Sequence, residues 1–349
     1  MLLKVIKWFC SNIQKAFKFI LIKTKALFLL EILVIKHMLT RRHLRIKVMQ
    51  SLYSLIQNRE GNLAHEVDFF KNSYLNAFSL YLTLMAFLKS IYDYALDQTS
   101  LQKGLRTNTN PFDSQSLVEN KILHFIAHHP VLNQYIKKRK IKFWELDFDY
   151  VKSNFKALMQ SEKYQEYACQ EAPSIEGDRA IIVFFFKEIL APSNDFYDYL
   201  EDKELTWIDD LPVVNTFLLK NLHKIDPQDS KSLFFPKMIT TEEDPQFAIA
   251  LLEKVFVNND ALQKEMVGRT PNWDSDRIAL LDAIMIKMAM AELLFFPTIP
   301  PKVTMNEYIE ISKDYSTPKS NIFINGILDQ TIRDFVKSGR LNKTGRGLI

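Results

Sequence analysis

The chain has 349 residues, 47% of them hydrophobic and 25% charged, with a formal net charge of +4. That apolar fraction can build a sizeable core and excludes both a disordered chain and a small disulfide-stapled one. The eight glycines are scattered, and the one Gly-x-Gly, Gly345 to Gly347, has no helix left to follow it, so a dinucleotide fingerprint and a P-loop are both excluded. Two cysteines, Cys10 and Cys169, fit a reducing compartment and rule out a paired-cysteine zinc site. Low glycine, 26 phenylalanines and long proline-free runs point to an all-α protein. The charge is uneven. Residues 1–59 carry 12 Lys/Arg against one acid, Glu31, and residues 330–349 carry five against one, Asp334, which leaves a body of 28 basic and 39 acidic residues. Basic ends on an acidic body suggest a polyanion held near the termini, or a pair of solvated tails.

The first segment, 1–37, mixes Lys with Ile, Leu and Phe. Lys23, Lys25 and Glu31 interrupt every stretch long enough to span a bilayer, and no small-residue cleavage site follows an apolar core. A basic amphipathic helix lying on a membrane is one reading. The favoured expectation is a spurious or disordered extension upstream of a start at Met38. From there the pattern is helical. Thr40 caps a helix whose apolar stripe is Leu44, Val48, Leu52 and Leu55, and on its first turns Arg41, Arg42 and Arg45 cluster at three- and four-residue spacing. The macrodipole disfavours cations there, so the cluster reads either as phosphate-binding or as a solvated helix start.

Residues 63–99 contain no Gly or Pro and repeat Val67, Phe70, Tyr74, Phe78, Tyr81, Met85, Leu88 and Tyr92, which predicts one long bundle helix. A loop at Thr107 to Ser116 follows. Helices are expected around 117–139, broken at Pro130, then at 147–170, 178–190, 207–223, 243–257, 274–295, 304–315 and 319–337, with Ala180 to Phe186 also readable as a buried strand. His124, His128 and His129 share a helical segment but lack an acid or Cys at matching spacing, so no metal is expected. Lys137 to Lys140 with Lys142, Phe143 and Trp144 form a basic-aromatic patch that reads as a solvated helix end or an extension of an RNA footprint. Asp147/Asp149 and Asp209/Asp210 read as surface or capping acids. A weak repeat pairs Trp207, Asp210 and Lys220 with Trp273, Asp276 and Lys287.

Two stretches are recognisable. Arg41 to Tyr53, RRHLRIKVMQSLY, resembles the opening of the NusB family of bacterial transcription antitermination factors, an Arg-rich run leading to a Gln-x-Leu-Tyr pattern. The likeness is stronger at the other end. Asp276-Arg277 opens a helix running to Glu292-Leu293, and in residues 299–329 Pro300, Lys302-Val303, Asn306-Glu307, Ile309-Glu310, Lys313, Ser320, Phe323, Asn325-Gly326 and Leu328-Asp329 fall where the family has them. The resemblance implies a long form of the family: 38–59 as first helix, 60–242 as a helical insertion, 243–337 as the rest of a NusB-like bundle, and 338–349 as a basic tail.

What the resemblance implies goes further. Such proteins bind boxA RNA of the ribosomal RNA leader together with NusE, a small-subunit ribosomal protein. They join NusA and NusG on RNA polymerase in the cytoplasm of bacteria, without catalysis, cofactor or membrane. The implied RNA contacts are Arg41, Arg42 and Arg45 with Lys319, Ser320, Phe323 and Asn325. Arginine can bind phosphate bidentately and stack on bases, and an aromatic beside that charge offers a platform for single-stranded RNA. By itself Phe323 reads rather as a core aromatic. Asn306-Glu307 reads as a capping and packing element, and Gly326 as a site of close helix packing. A ribosomal RNA methyltransferase carrying a NusB-like module would need a Gly-rich cofactor domain and catalytic cysteines, neither of which is visible. A non-catalytic interaction scaffold or rRNA-maturation factor of the same fold is the alternative.

Overall fold

The computed structural model describes residues 38–58, 62–105, 114–236, 243–269 and 278–348. The expectations for 1–37, for most of the 107–116 loop and for Trp273, Asp276 and Arg277 lie outside them. Every regular element among the described residues is helical. In chain order they are α1 (Arg41–Gln57), α2 (Leu63–Leu105), α3 (Gln115–Glu119), α4 (Lys121–His128), α5 (Pro130–Lys138), α6 (Phe143–Leu146), α7 (Phe148–Gln160), α8 (Glu162–Ala168), α9 (Ile175–Phe184), α10 (Asn194–Lys203) and α11 (Leu211–Leu222). Then come α12 (Glu243–Val257), α13 (Asn259–Val267), α14 (Leu280–Phe295), α15 (Pro301–Tyr315) and α16 (Ser320–Lys337). The stretch readable as a strand, 180–186, is the end of α9 continuing into a π-helical turn, Phe185–Leu190, whose Phe185, Phe186 and Leu190 are buried.

Two hydrophobic cores divide the chain. One gathers α2 to α11 around Phe87, Trp144, Phe185 and Phe196. The other gathers α1 and α12 to α16 around Leu44, Val48, Leu251, Met285, Tyr308 and Leu328. α1 packs on α12, α14 and α15 across a long gap in sequence. Its stripe Leu44, Val48, Leu52 and Leu55 is buried there.

The seam lies elsewhere than residue 60. α2 is continuous over 43 residues, with Val67 and Phe70 packed on the second core, Ala77 onward on the first, and Tyr74 against both. Ahead of α1, Met38 and Leu39 are buried in the first core. Leu63–Leu101 is long and apolar enough to cross a membrane by composition, and 61% of its most apolar window is buried inside the protein.

The aromatic and histidine motifs of the insertion are structural. Trp144 is buried and donates its indole N–H to the Thr83 carbonyl at 2.7 Å, while the adjoining Lys137, Lys138, Arg139, Lys140 and Lys142 are exposed. His124 accepts or donates at 2.9 Å with the Tyr92 hydroxyl and stacks on His128, whereas His129 caps α5 and meets the Ser230 carbonyl at 3.0 Å. The three imidazoles therefore do not converge. After α5 the chain turns through Lys140 in the left-handed region, φ +55°.

The C-terminal segment is docked rather than free. Lys343 donates its ammonium to the Phe296 carbonyl at 2.9 Å, and Thr344 N–H donates to the Pro297 carbonyl at 3.0 Å. Gly347 sits so close that a Cβ there would fall 2.0 Å from the Pro297 oxygen.

Candidate nucleic-acid interface

α1 begins with a reciprocal cap in which Thr40 N–H donates to His43 Nδ1 at 3.0 Å and the Thr40 hydroxyl lies 2.9 Å from the same nitrogen. Burial, then the charges of Lys47 and Arg42, lower the His43 imidazole to about 4, so the ring is neutral at neutral pH and can accept.

Each arginine of the cluster has found a carboxylate on a different helix. Arg41 Nε donates to Asp244 Oδ1 of α12 at 2.7 Å. Arg42 binds Glu307 of α15 through both Nε and Nη2, at 3.0 and 2.8 Å. Arg45 binds Glu292 of α14 in the same fork geometry, at 2.8 and 2.7 Å. The side chains of Arg41 and Arg42 remain 41% exposed, but that of Arg45 is 3% exposed and that of Glu292 fully buried.

Glu292 also accepts the Thr304 hydroxyl at 2.8 Å and the Tyr308 hydroxyl at 3.2 Å, so every lone pair facing the core has a donor. Burial works against the Arg45 charge, and Glu292 outweighs it, raising the guanidinium above its ordinary value. Carboxylates distant in sequence thus pair all three arginines, which helical spacing alone does not announce. Arg45 is a core residue that only edges the surface, whereas Arg41 and Arg42 keep exposed guanidiniums.

The opposite face of α1 ties to the insertion. Buried Lys47 donates to buried Asp210 at 3.0 Å, and Asp209 accepts from Gln50 and from the Tyr315 hydroxyl. Burial pushes the Asp210 carboxyl up to about 6 in spite of Lys47. These two acids, expected as surface or capping residues, tie α1 between the two cores, with Asp210 also standing at the N-cap position of α11, its carboxylate turned to Lys47.

The start of α16 forms a second patch. Lys319 and Asn325 are exposed and Phe323 is half-buried against the second core. Ser320 is buried, its hydroxyl donating to Asp282 Oδ2 at 2.7 Å beside Ser316, which donates to Oδ1 at 2.6 Å. Ser320 thus holds the helix start onto α14, its side chain turned inward. Glu307 is the packing element expected of Asn306-Glu307. Gly326 is exposed, with open space where a Cβ would stand, so no close helix packing requires it.

A cleft of about 1050 Å³ runs along the exposed side of α1, lined by Arg41, Arg42, His43, Pro300, Tyr315 and Arg346 among others. Lys319, Ser320, Phe323 and Asn325 are not part of its lining, so the expected contacts form two patches rather than one. Glu292 and Arg346 were missed from sequence. A signal for Glu292 existed: with Asp282 and Lys287 it interrupts an otherwise apolar α14, and a buried charge demands a partner.

The NusB family model matches residues 218–333, which begin inside α11 and end inside α16. Among curated relatives, the transcription antitermination protein NusB of Salinibacter ruber is 42% identical over 114 residues, 32% of this chain and 71% of that protein. The NusB of Chloroherpeton thalassium is 40% identical over 103 residues, 30% of this chain and 49% of its own length. That of Trichlorobacter lovleyi is 41% identical over 91 residues, 26% of this chain and 64% of its own. Among solved structures, T. maritima NusB matches at 25% identity over 40% of this chain and 85% of that one, with a TM-score of 0.26.

Proposed function

Because the chain belongs to the NusB family, we propose that it acts in transcription antitermination by binding boxA-type RNA of nascent ribosomal RNA together with NusE. Its wider setting would be the RNA polymerase complex containing NusA and NusG, in the bacterial cytoplasm, with no catalytic step of its own. The observation that supports this reading most is an overlap. The stretch matched by the family supplies α14 and α15, whose Glu292 and Glu307 receive Arg45 and Arg42 of α1. The Arg-rich helix is therefore the missing first helix of the same bundle, returned to it across the insertion.

Of the seven residues the resemblance named, Arg41, Arg42, Lys319, Phe323 and Asn325 have exposed or half-exposed side chains. These five are the RNA contacts of this reading, with Arg45 and Ser320 as the framework beneath. Arg41 and Arg42 are each 41% exposed while their carboxylates, Asp244 and Glu307, are 10% and 21% exposed, so each guanidinium keeps an open edge beside its pair. A charge-assisted bond to phosphate is worth about 1.5–3 kcal/mol, and RNA would share those two guanidiniums through their open edges rather than displace the carboxylates.

Gel-shift titration of the full chain with boxA and scrambled RNA, with and without NusE, tests the reading. Arg42→Ala and Phe323→Ala should weaken boxA binding while leaving helicity intact. Equal boxA and scrambled affinity in the wild type would sink it. The neutralisation of all three α1 arginines favours a second reading, a NusB-fold interaction scaffold or rRNA-maturation factor without catalytic activity, which would bind NusE normally but show no boxA preference.

A further inference from the structure

Arg346 sits between the two glycines of the only Gly-x-Gly in the sequence, and both glycines are used. Gly345 has φ +55°, a left-handed backbone that a side chain disfavours. Gly347 presses its Cα face on the Pro297 carbonyl, where any Cβ would collide at 2.0 Å. Upstream, the Lys343 ammonium donates to the Phe296 and Glu292 carbonyls at 2.9 and 3.3 Å, a cation closing the C-terminal end of α14. The last helical turn, Gly345–Leu348, is thus fixed on the bundle by its backbone.

That anchoring delivers the exposed Arg346 to the wall of the cleft that Arg41 and Arg42 also line, from the opposite end of the chain. The three α1 arginines each hold a carboxylate. Among the described residues Arg346 makes no ion pair, so it can grip an anion without first giving up a partner.

We propose that the Gly345-Arg346-Gly347 turn is a phosphate-binding arm of the RNA site, with the Arg346 guanidinium engaging a phosphodiester of single-stranded RNA that crosses the cleft. The proposal rests on the RNA-binding reading above. A planar guanidinium matches phosphate oxygens two at a time, and the glycine-fixed backbone spares most of the ordering cost.

The test is binding of boxA-type RNA by the full chain across 50–300 mM salt. On single-stranded RNA one lost phosphate contact flattens the slope of log K against log salt by about 0.7, which at 0.1 M salt is about a fivefold loss. Arg346→Ala should show both changes with unaltered circular dichroism and melting temperature, while Arg346→Lys keeps the slope. Gly347→Ala, which displaces the turn, should lose as much, and combining it with Arg346→Ala should add nothing. Wild-type binding together with unchanged affinity and slope in Arg346→Ala overturns the arm and leaves the RNA reading standing. Loss of NusE binding with RNA binding intact also overturns it, giving the turn to the protein partner. Absence of RNA binding by the wild type overturns both.

Discussion

Arg45→Met offers a severe test of the claim that the arginine cluster is partly architectural. The substitution keeps most of the side-chain volume and removes the charge that faces Glu292, whose side chain is fully buried. Only the Thr304 and Tyr308 hydroxyls would remain as donors to that carboxylate. Breaking one side of a buried pair costs about 3–5 kcal/mol, whereas replacing both sides by apolar groups is often neutral or stabilising. Arg45→Met and Glu292→Leu should each cost that amount, roughly 6–20 °C in melting temperature for a domain of this class. The double variant should recover part of the loss but not all of it, because the buried Thr304 and Tyr308 hydroxyls are left without Glu292 as acceptor, at about 1–3 kcal/mol each. Chemical denaturation should be followed by far-ultraviolet circular dichroism as well as by fluorescence, since Trp144 and Trp207 both report on the other core. If Arg45→Met costs less than about 1 kcal/mol, or the two single effects simply add, the buried pair is not what holds α1. Under conditions where the variant is fully folded its boxA affinity should stay close to wild type, because the Arg45 guanidinium is taken up by Glu292.

Three further outcomes are expected. The His43 imidazole is lowered to about 4 when folded against about 6.5 unfolded, so between those values the unfolded chain binds more protons and stability falls with falling pH. Asp210, raised to about 6, contributes with the opposite sign over much of the same range; His43→Gln, which keeps the cap acceptor, should therefore flatten the acid loss relative to wild type in pH-dependent denaturation, and parallel curves would refute the assignment. Gly326→Ala, at an exposed mid-helix site with open space around it, should stabilise by about 0.5–1 kcal/mol in thermal melts. Lys140→Gly should do likewise by up to about 1–2 kcal/mol, because Lys140 alone among the described non-glycine residues is held at positive φ.

Periodicity alone predicts much of this architecture. The three- and four-residue steps of Val67 to Tyr92 fall on one helix, and Leu44, Val48, Leu52 and Leu55 are all buried as a stripe should be. Helix ends were legible where proline or a hydrogen-bonding cap marked them, as at Pro130 and Thr40. What sequence spacing hides is pairing between distant elements. Arg41, Arg42 and Arg45 read as free cations because their carboxylates are on α12, α15 and α14, and helical spacing carries no information about those partners. Asp210 misled in the same way, since nothing near it in sequence announces Lys47. Ser320 looked like a ligand for the same reason that it is a good anchor: a hydroxyl beside a helix start bonds whatever acceptor the fold presents, here Asp282.

The separation of Arg45 from Glu292 by 247 positions also sets a schedule for the nascent protein. At roughly 5–20 residues per second, about 12–50 seconds pass between synthesis of the first and of the second. Throughout that interval α1 has been made and its partner helix has not. Met38 and Leu39 on one side and the body of α2 on the other belong to the core completed first. Once that core has folded, α1 is tethered at both ends as a short closed loop, its search volume already small when α14 arrives. The Lys47 partner Asp210 is made well inside that interval, the Arg45 partner Glu292 only at its close.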